Sequence, residues 1–160
     1  MFNVEMYTTN RLENYELVKK QLRALIHDEK NQIANLSNTC ALLNQFLDRV
    51  NWVGFYLMDG TDELVLGPFQ GLPACIRIPV GKGVCGAAAK NKETVRVEDV
   101  NQFPGHIACD AASQSEIVIP LIKNGQLFGV LDIDSTEKNR FDEIDQEKLE
   151  EFVDVLMEFI

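Results

Sequence analysis

Three of the four cysteines, Cys75, Cys85 and Cys109, stand in stretches that do not read as core: "GLPACIR", "GKGVCG" and "HIACDAASQSE". A buried cysteine is commonly no more than a small apolar side chain, and Cys40, on the apolar stripe of a helical pattern, fits that description. The other three suit thiol redox chemistry. Such a site needs one thiol that attacks, a second within reach to form a disulfide, and some thiolate character, and it sets no fixed spacing. Cys85 falls in the first turn of a predicted short helix. There the helix dipole and free amide donors are expected to lower its pKa, with Lys82 adding positive charge. His106, three residues before Cys109, is read as part of the loop structure rather than as the thiol's partner.

Reduction of an oxidised sulfur would ask for more, because the oxygen must be protonated as the S–O bond breaks. A carboxyl raised in pKa by burial or by a second carboxyl can hold that proton near neutral pH. Glu116 opens one predicted strand, and Asp132 and Asp134 share a face at the end of its neighbour, "LDIDS", since strand side chains alternate. Strand-end acids ordinarily face water, but these adjoin apolar runs. Trp52 and Tyr56 share a face of the first strand, either as core or as the lining of a small pocket. Two rival chemistries fit less well. "GKGVCG" has the glycines of a dinucleotide loop, but the helix after it is too short for a parallel crossover and no ribose-binding acid follows. Cys75, Cys85, His106 and Cys109 could together hold zinc, yet they lack the close-spaced pairs of structural zinc sites.

The elements that must position these residues follow from periodicity. Up to about residue 50 the apolar positions recur at helical spacing, through Leu12, Tyr15, Val18, Leu22 and Ile26 and then Ile33, Leu36, Cys40, Leu43 and Leu47. From Trp52 the pattern turns to strands: "WVGFYLM" and "LVLGPF" around the turn "DGTDE", then "CIRIPV", the short helix "VCGAAAKN", and "TVRVEDV". A hairpin follows, with Asn124-Gly125 at its tip. Asp142 is a plausible cap for a closing helix whose core face is Leu149, Phe152, Val153, Leu156 and Ile160. This order gives an α+β domain with helices layered on an antiparallel sheet, and loops over 67–76 and 99–114 that carry cysteines. A length of 160 residues is expected to make one domain over 1–160. The net charge of −10 disfavours nucleic acid and anionic membrane partners. Without an apolar span or a signal-like start, a cytoplasmic location is expected.

The runs "GPFQGLPACIRIPVGKGVCGAAA", "VEDVNQFPGHIACDAASQSEIVIPL" and "FGVLDIDS" resemble the free methionine-(R)-sulfoxide reductases. The resemblance implies a GAF-like fold, a six-stranded antiparallel sheet flanked by helices. It implies that Cys109 attacks the sulfoxide sulfur and becomes a sulfenic acid, and that Cys75 resolves it as a disulfide. Cys85 is implied as a second active-site cysteine, its share of the resolving duty left open. Glu116, Asp132 and Asp134 are implied to hold the substrate's ammonium group and sulfoxide oxygen, and Trp52 and Tyr56 to pack around its methyl group. A thioredoxin-like dithiol as reductant, a homodimer and no bound cofactor or metal are implied as well. The alternative is a GAF-type ligand sensor without turnover, against which the three-cysteine set argues.

Overall fold

The computed structural model describes residues 7–107 and 109–160. Two helices come first, α1 (Arg11–Ile26) and α2 (Gln32–Phe46). Each begins on an asparagine, Asn10 or Asn31, whose side-chain oxygen accepts from amides of the first turn that have no helical partner. Strands β1 (Trp52–Asp59), β2 (Glu63–Gln70) and β3 (Arg77–Pro79) follow, then helix α3 (Gly83–Asn91) and strand β4 (Val95–Val97). After a 3-10 turn at Val100–Gln102 come β5 (Ser115–Lys123), β6 (Gln126–Ser135) and α4 (Glu143–Met157). Asp142 and Asp145 form a reciprocal capping box at the start of α4.

All six strands join one antiparallel sheet in the order β3-β2-β1-β6-β5-β4. The β5–β6 hairpin turns on Asn124 and Gly125, both at positive φ, as the tight turn that matches strand twist requires. Alternation along the strands divides the sheet into two faces. Val53, Phe55, Ile117, Ile119, Leu131 and Ile133 pack with the buried stripes of α1, α2 and α4 in one core. Trp52, Tyr56, Val118 and Val130 face the other way, with Cys85 and the alanines of α3, in a second and smaller core.

The predicted α+β layering stands, with local differences. β2 continues to Gln70, so the loop carrying Cys75 covers only residues 71–76. β3 and β4 are three residues each, shorter than their alternating patterns suggest, because pairing with β2 and β5 ends there. Leu12 and Ile33 lie on the predicted stripes but are exposed, since each sits at a helix start outside the packed interface. Cys40 is fully buried in the larger core, and its thiol donates to the Pro68 carbonyl. No helix among the described residues is long and apolar enough to cross a membrane.

Candidate active site

Sheet register builds the acidic half of the site. Trp52, Asp134 and Glu116 lie side by side across β1, β6 and β5, and Gly54, Asp132 and Val118 form the next row on the same face. Gly54 is required by close approach. A Cβ there would lie 2.4 Å from both the Trp52 ring and Phe69, so glycine is what lets the indole lie flat over β1. Trp52 stacks on Phe69 and Tyr56, with ring centroids 5.3 and 5.9 Å apart.

Two loops and α3 supply the sulfur half. Cys75, in the loop after β2, is disulfide-bonded to Cys109, with their Cα atoms 5.6 Å apart. Two aromatics of β1 tether that loop: the Tyr56 hydroxyl donates to the Cys75 carbonyl at 2.9 Å, and the Trp52 indole N–H donates to the Leu72 carbonyl at 3.1 Å. The loop bearing Cys109 is held from below by Asn51, whose Nδ2 donates to Asp110 Oδ2 at 2.9 Å and to Ser113 Oγ at 3.1 Å. The Asn51 amide N–H in turn donates to the Asp134 carbonyl, which joins this loop to the acidic row.

A cavity of about 30 Å³ lies between the halves, lined by Cys109, Cys85, Glu116, Asp132 and Asp134 together with Tyr56, Lys82 and His106. A second, of about 20 Å³, lies across Cys109 beside Trp52 and Leu72. Seven of the eight residues singled out from sequence line one cavity or the other, and the eighth, Cys75, closes them through its disulfide.

Electrostatics corrects one expectation. Cys85 does sit in the first turn of α3, but its thiol is pushed well above the ordinary range, not below it. Burial is the main cause, followed by Asp132, Glu116 and Asp134. Complete desolvation and three facing acids outweigh a short helix's dipole. The acids behave as the sequence suggests. Burial and then Asp134 push Glu116 well up; burial and then Glu116 push Asp132 up; burial and then Asp132 push Asp134 up. Among the described residues no lysine or arginine forms an ion pair with any of the three.

His106, assigned to loop structure from the sequence, also faces the site, with Nε2 3.6 Å from Glu116 Oε2. Burial lowers its pKa and raises that of Glu116, and both shifts disfavour an ion pair between them. Asn51, Asp110 and Ser113 were likewise not singled out. An asparagine just before a strand, and a serine in a polar loop, carry no signal until the loop is folded over them.

A curled six-stranded antiparallel sheet with this helix arrangement is the architecture of the GAF domain, and the chain belongs to that family, which matches residues 36–160. The chain is 52% identical over 144 residues to the free methionine-R-sulfoxide reductase of Escherichia coli, covering 90% of this chain and 87% of that one. It is 58% identical over 157 residues to protein YtsP of Bacillus subtilis, covering 98% and 96%. The X-ray structure of the Neisseria meningitidis free methionine-R-sulfoxide reductase in complex with its substrate superposes with a TM-score of 0.95, at 44% identity, over 99% of this chain and 95% of that one. Within the GAF domains, the chain falls among the free methionine-R-sulfoxide reductases.

Proposed function

We propose that the protein reduces free L-methionine (R)-S-oxide to methionine. The observation that carries this reading is that Cys109, bonded to Cys75, borders the same cavity as three buried carboxyls whose environment favours the protonated form. With both thiols reduced, Cys109 Sγ attacks the sulfoxide sulfur while a carboxyl of the Glu116, Asp132 and Asp134 group gives its proton to the sulfoxide oxygen. The oxygen passes to Cys109 as a sulfenic acid and methionine leaves. The Cys75 thiol then attacks that sulfenic sulfur, releasing water and closing the disulfide, and a thioredoxin-like dithiol restores both thiols. A remaining carboxylate of the group holds the substrate ammonium, and Trp52 and Tyr56 enclose the methyl. Cys85, with its thiol held neutral by burial, serves as a lining residue in this cycle and not as the first nucleophile.

The disulfide form belongs at the end of the cycle. A cavity of about 30 Å³ holds about two waters and not an amino acid. Reduction, by parting Cys75 from Cys109, reopens the space. NADPH consumption with thioredoxin and thioredoxin reductase, run separately on each epimer of the free sulfoxide, tests the reading. Turnover is expected with the R epimer, and a protein inert to it refutes the assignment.

A further inference from the structure

We propose that Cys85 Sγ with one carboxylate oxygen each of Glu116 and Asp132 forms a binding site for a single thiophilic divalent cation, zinc above all, and that the ion occupies the pocket in the disulfide form. One donor atom from each residue lies within 4.8 Å of the other two, and all three residues are buried. In tetrahedral zinc sites, sulfur lies about 2.3 Å and carboxylate oxygen about 2.0–2.2 Å from the metal. Neighbouring ligand atoms are then roughly 3.5 Å apart, so donors within 4.8 Å of one another need to close by about 1.3 Å at most.

A second, independent observation points to a ligand. Asp132 is only 6% exposed, and although its carboxyl interacts with Cys85 and Glu116, its Oδ1 is one of two buried side-chain polar atoms without a hydrogen-bond partner among the described residues. Asp132 borders the cavity that Cys85 and Glu116 also line. Such an atom is costly to bury alone and is satisfied by a cation. Size agrees, since about 30 Å³ admits an ion with a water but excludes the amino acid proposed above. His106 Nε2 lies 3.6 Å from Glu116 Oε2 but outside the three-donor cluster, so the fourth position falls to a water.

The donor set also selects the metal. Burial keeps protons on Cys85, Glu116 and Asp132, and the entering ion displaces them to solvent. The resulting thiolate and two carboxylates suit zinc or cobalt, whereas magnesium and calcium prefer all-oxygen ligand sets. In the disulfide form Cys75 and Cys109 have no thiolate to offer, and Cys40 lies in the other core. Cys85 is therefore the pocket's one thiol ligand in that state. The site rests on this donor set and does not depend on the reaction assigned to the pocket.

The test is a cobalt(II) titration of the full chain in its disulfide form, without reductant. Binding of one cobalt per chain is expected, with a near-ultraviolet thiolate-to-cobalt charge-transfer band that one equivalent of zinc removes. Cys85→Ser should lose the band. Asp132→Asn and Glu116→Gln, each checked for native circular dichroism, should weaken binding at least tenfold, while Cys40→Ala keeps band and affinity. Absence of the band in the wild type, its persistence in Cys85→Ser, or unchanged affinity in both folded acid variants overturns the proposal. None of these readouts needs turnover, so a protein inert toward methionine sulfoxide would still give them.

Discussion

Replacing Asp132 by asparagine separates what the acidic cluster does for chemistry from what it does to the fold. The change keeps the side chain's shape and removes its ability to ionise. Burial, and then Glu116, hold the Asp132 carboxyl above its unfolded value. Over the interval between those two values the folded chain therefore binds more protons than the unfolded chain. For such a group wild-type stability is greatest below the unfolded pKa and erodes as pH rises toward the folded one, with a limiting slope of about 1.36 kcal/mol per pH unit. Asparagine escapes that erosion and brings an amide donor to Glu116. Asp132→Asn should match the wild type near pH 4 and become the more stable protein as pH rises to 8. Turnover should move the other way. Loss of a positioned general acid costs about 10² to 10⁴ in rate, which is roughly 3–5 kcal/mol of transition-state stabilisation. Urea unfolding at several pH values, beside single-turnover methionine release, measures both. A variant equally active, or one whose relative stability does not grow with pH, would refute the account of the cluster.

Cys109→Ser should abolish methionine release, whereas Cys40→Ala should retain it and lose about 1 kcal/mol of stability with its buried hydrogen bond to Pro68; equal loss of activity in both would point to damaged folding. Tyr56→Phe cuts the tether to the Cys75 carbonyl, so release of the first methionine should persist in rapid-quench assays while disulfide closure slows; closure at the wild-type rate would count against the tether. Arg140 is buried among Asp145, Asp48 and the Asp48 carbonyl, and Asp145 also takes the Tyr15 hydroxyl. Arg140→Met removes one of the two cations paired with buried Asp145 and leaves Arg11 as the other. It should cost about 2–3 kcal/mol, a fall in Tm of roughly 5–10 °C for a chain of this size by calorimetry.

Much of this architecture was legible before folding because two periods carry it. The 3.6-residue stripes of α1, α2 and α4 and the alternation of β1, β5 and β6 fix which side chains face which core, and with them the shared face of Trp52, Asp132, Asp134 and Glu116. What escaped has physical reasons. β3 and β4 end where their partners turn away, which nothing local marks. A helix start favours a lowered pKa for the Cys85 thiol, but burial opposite acids from two strands distant in sequence decides it the other way. His106 and Asn51 act across the fold, on Glu116 and on the Asp110–Ser113 turn, and no spacing rule announces such contacts.

Trp52 is the chain's sole tryptophan. It stacks on Tyr56, donates to the loop that holds Cys75, and borders a cavity with Cys109. An excited indole beside a disulfide loses its energy by passing an electron to the sulfurs, and beside thiols it does so less. Emission from this one ring should therefore brighten as the disulfide opens and shift as a ligand displaces water from the cavity. The side chain proposed to enclose the substrate also makes the protein its own optical probe, readable without label or coupled enzyme and free of contribution from any second tryptophan.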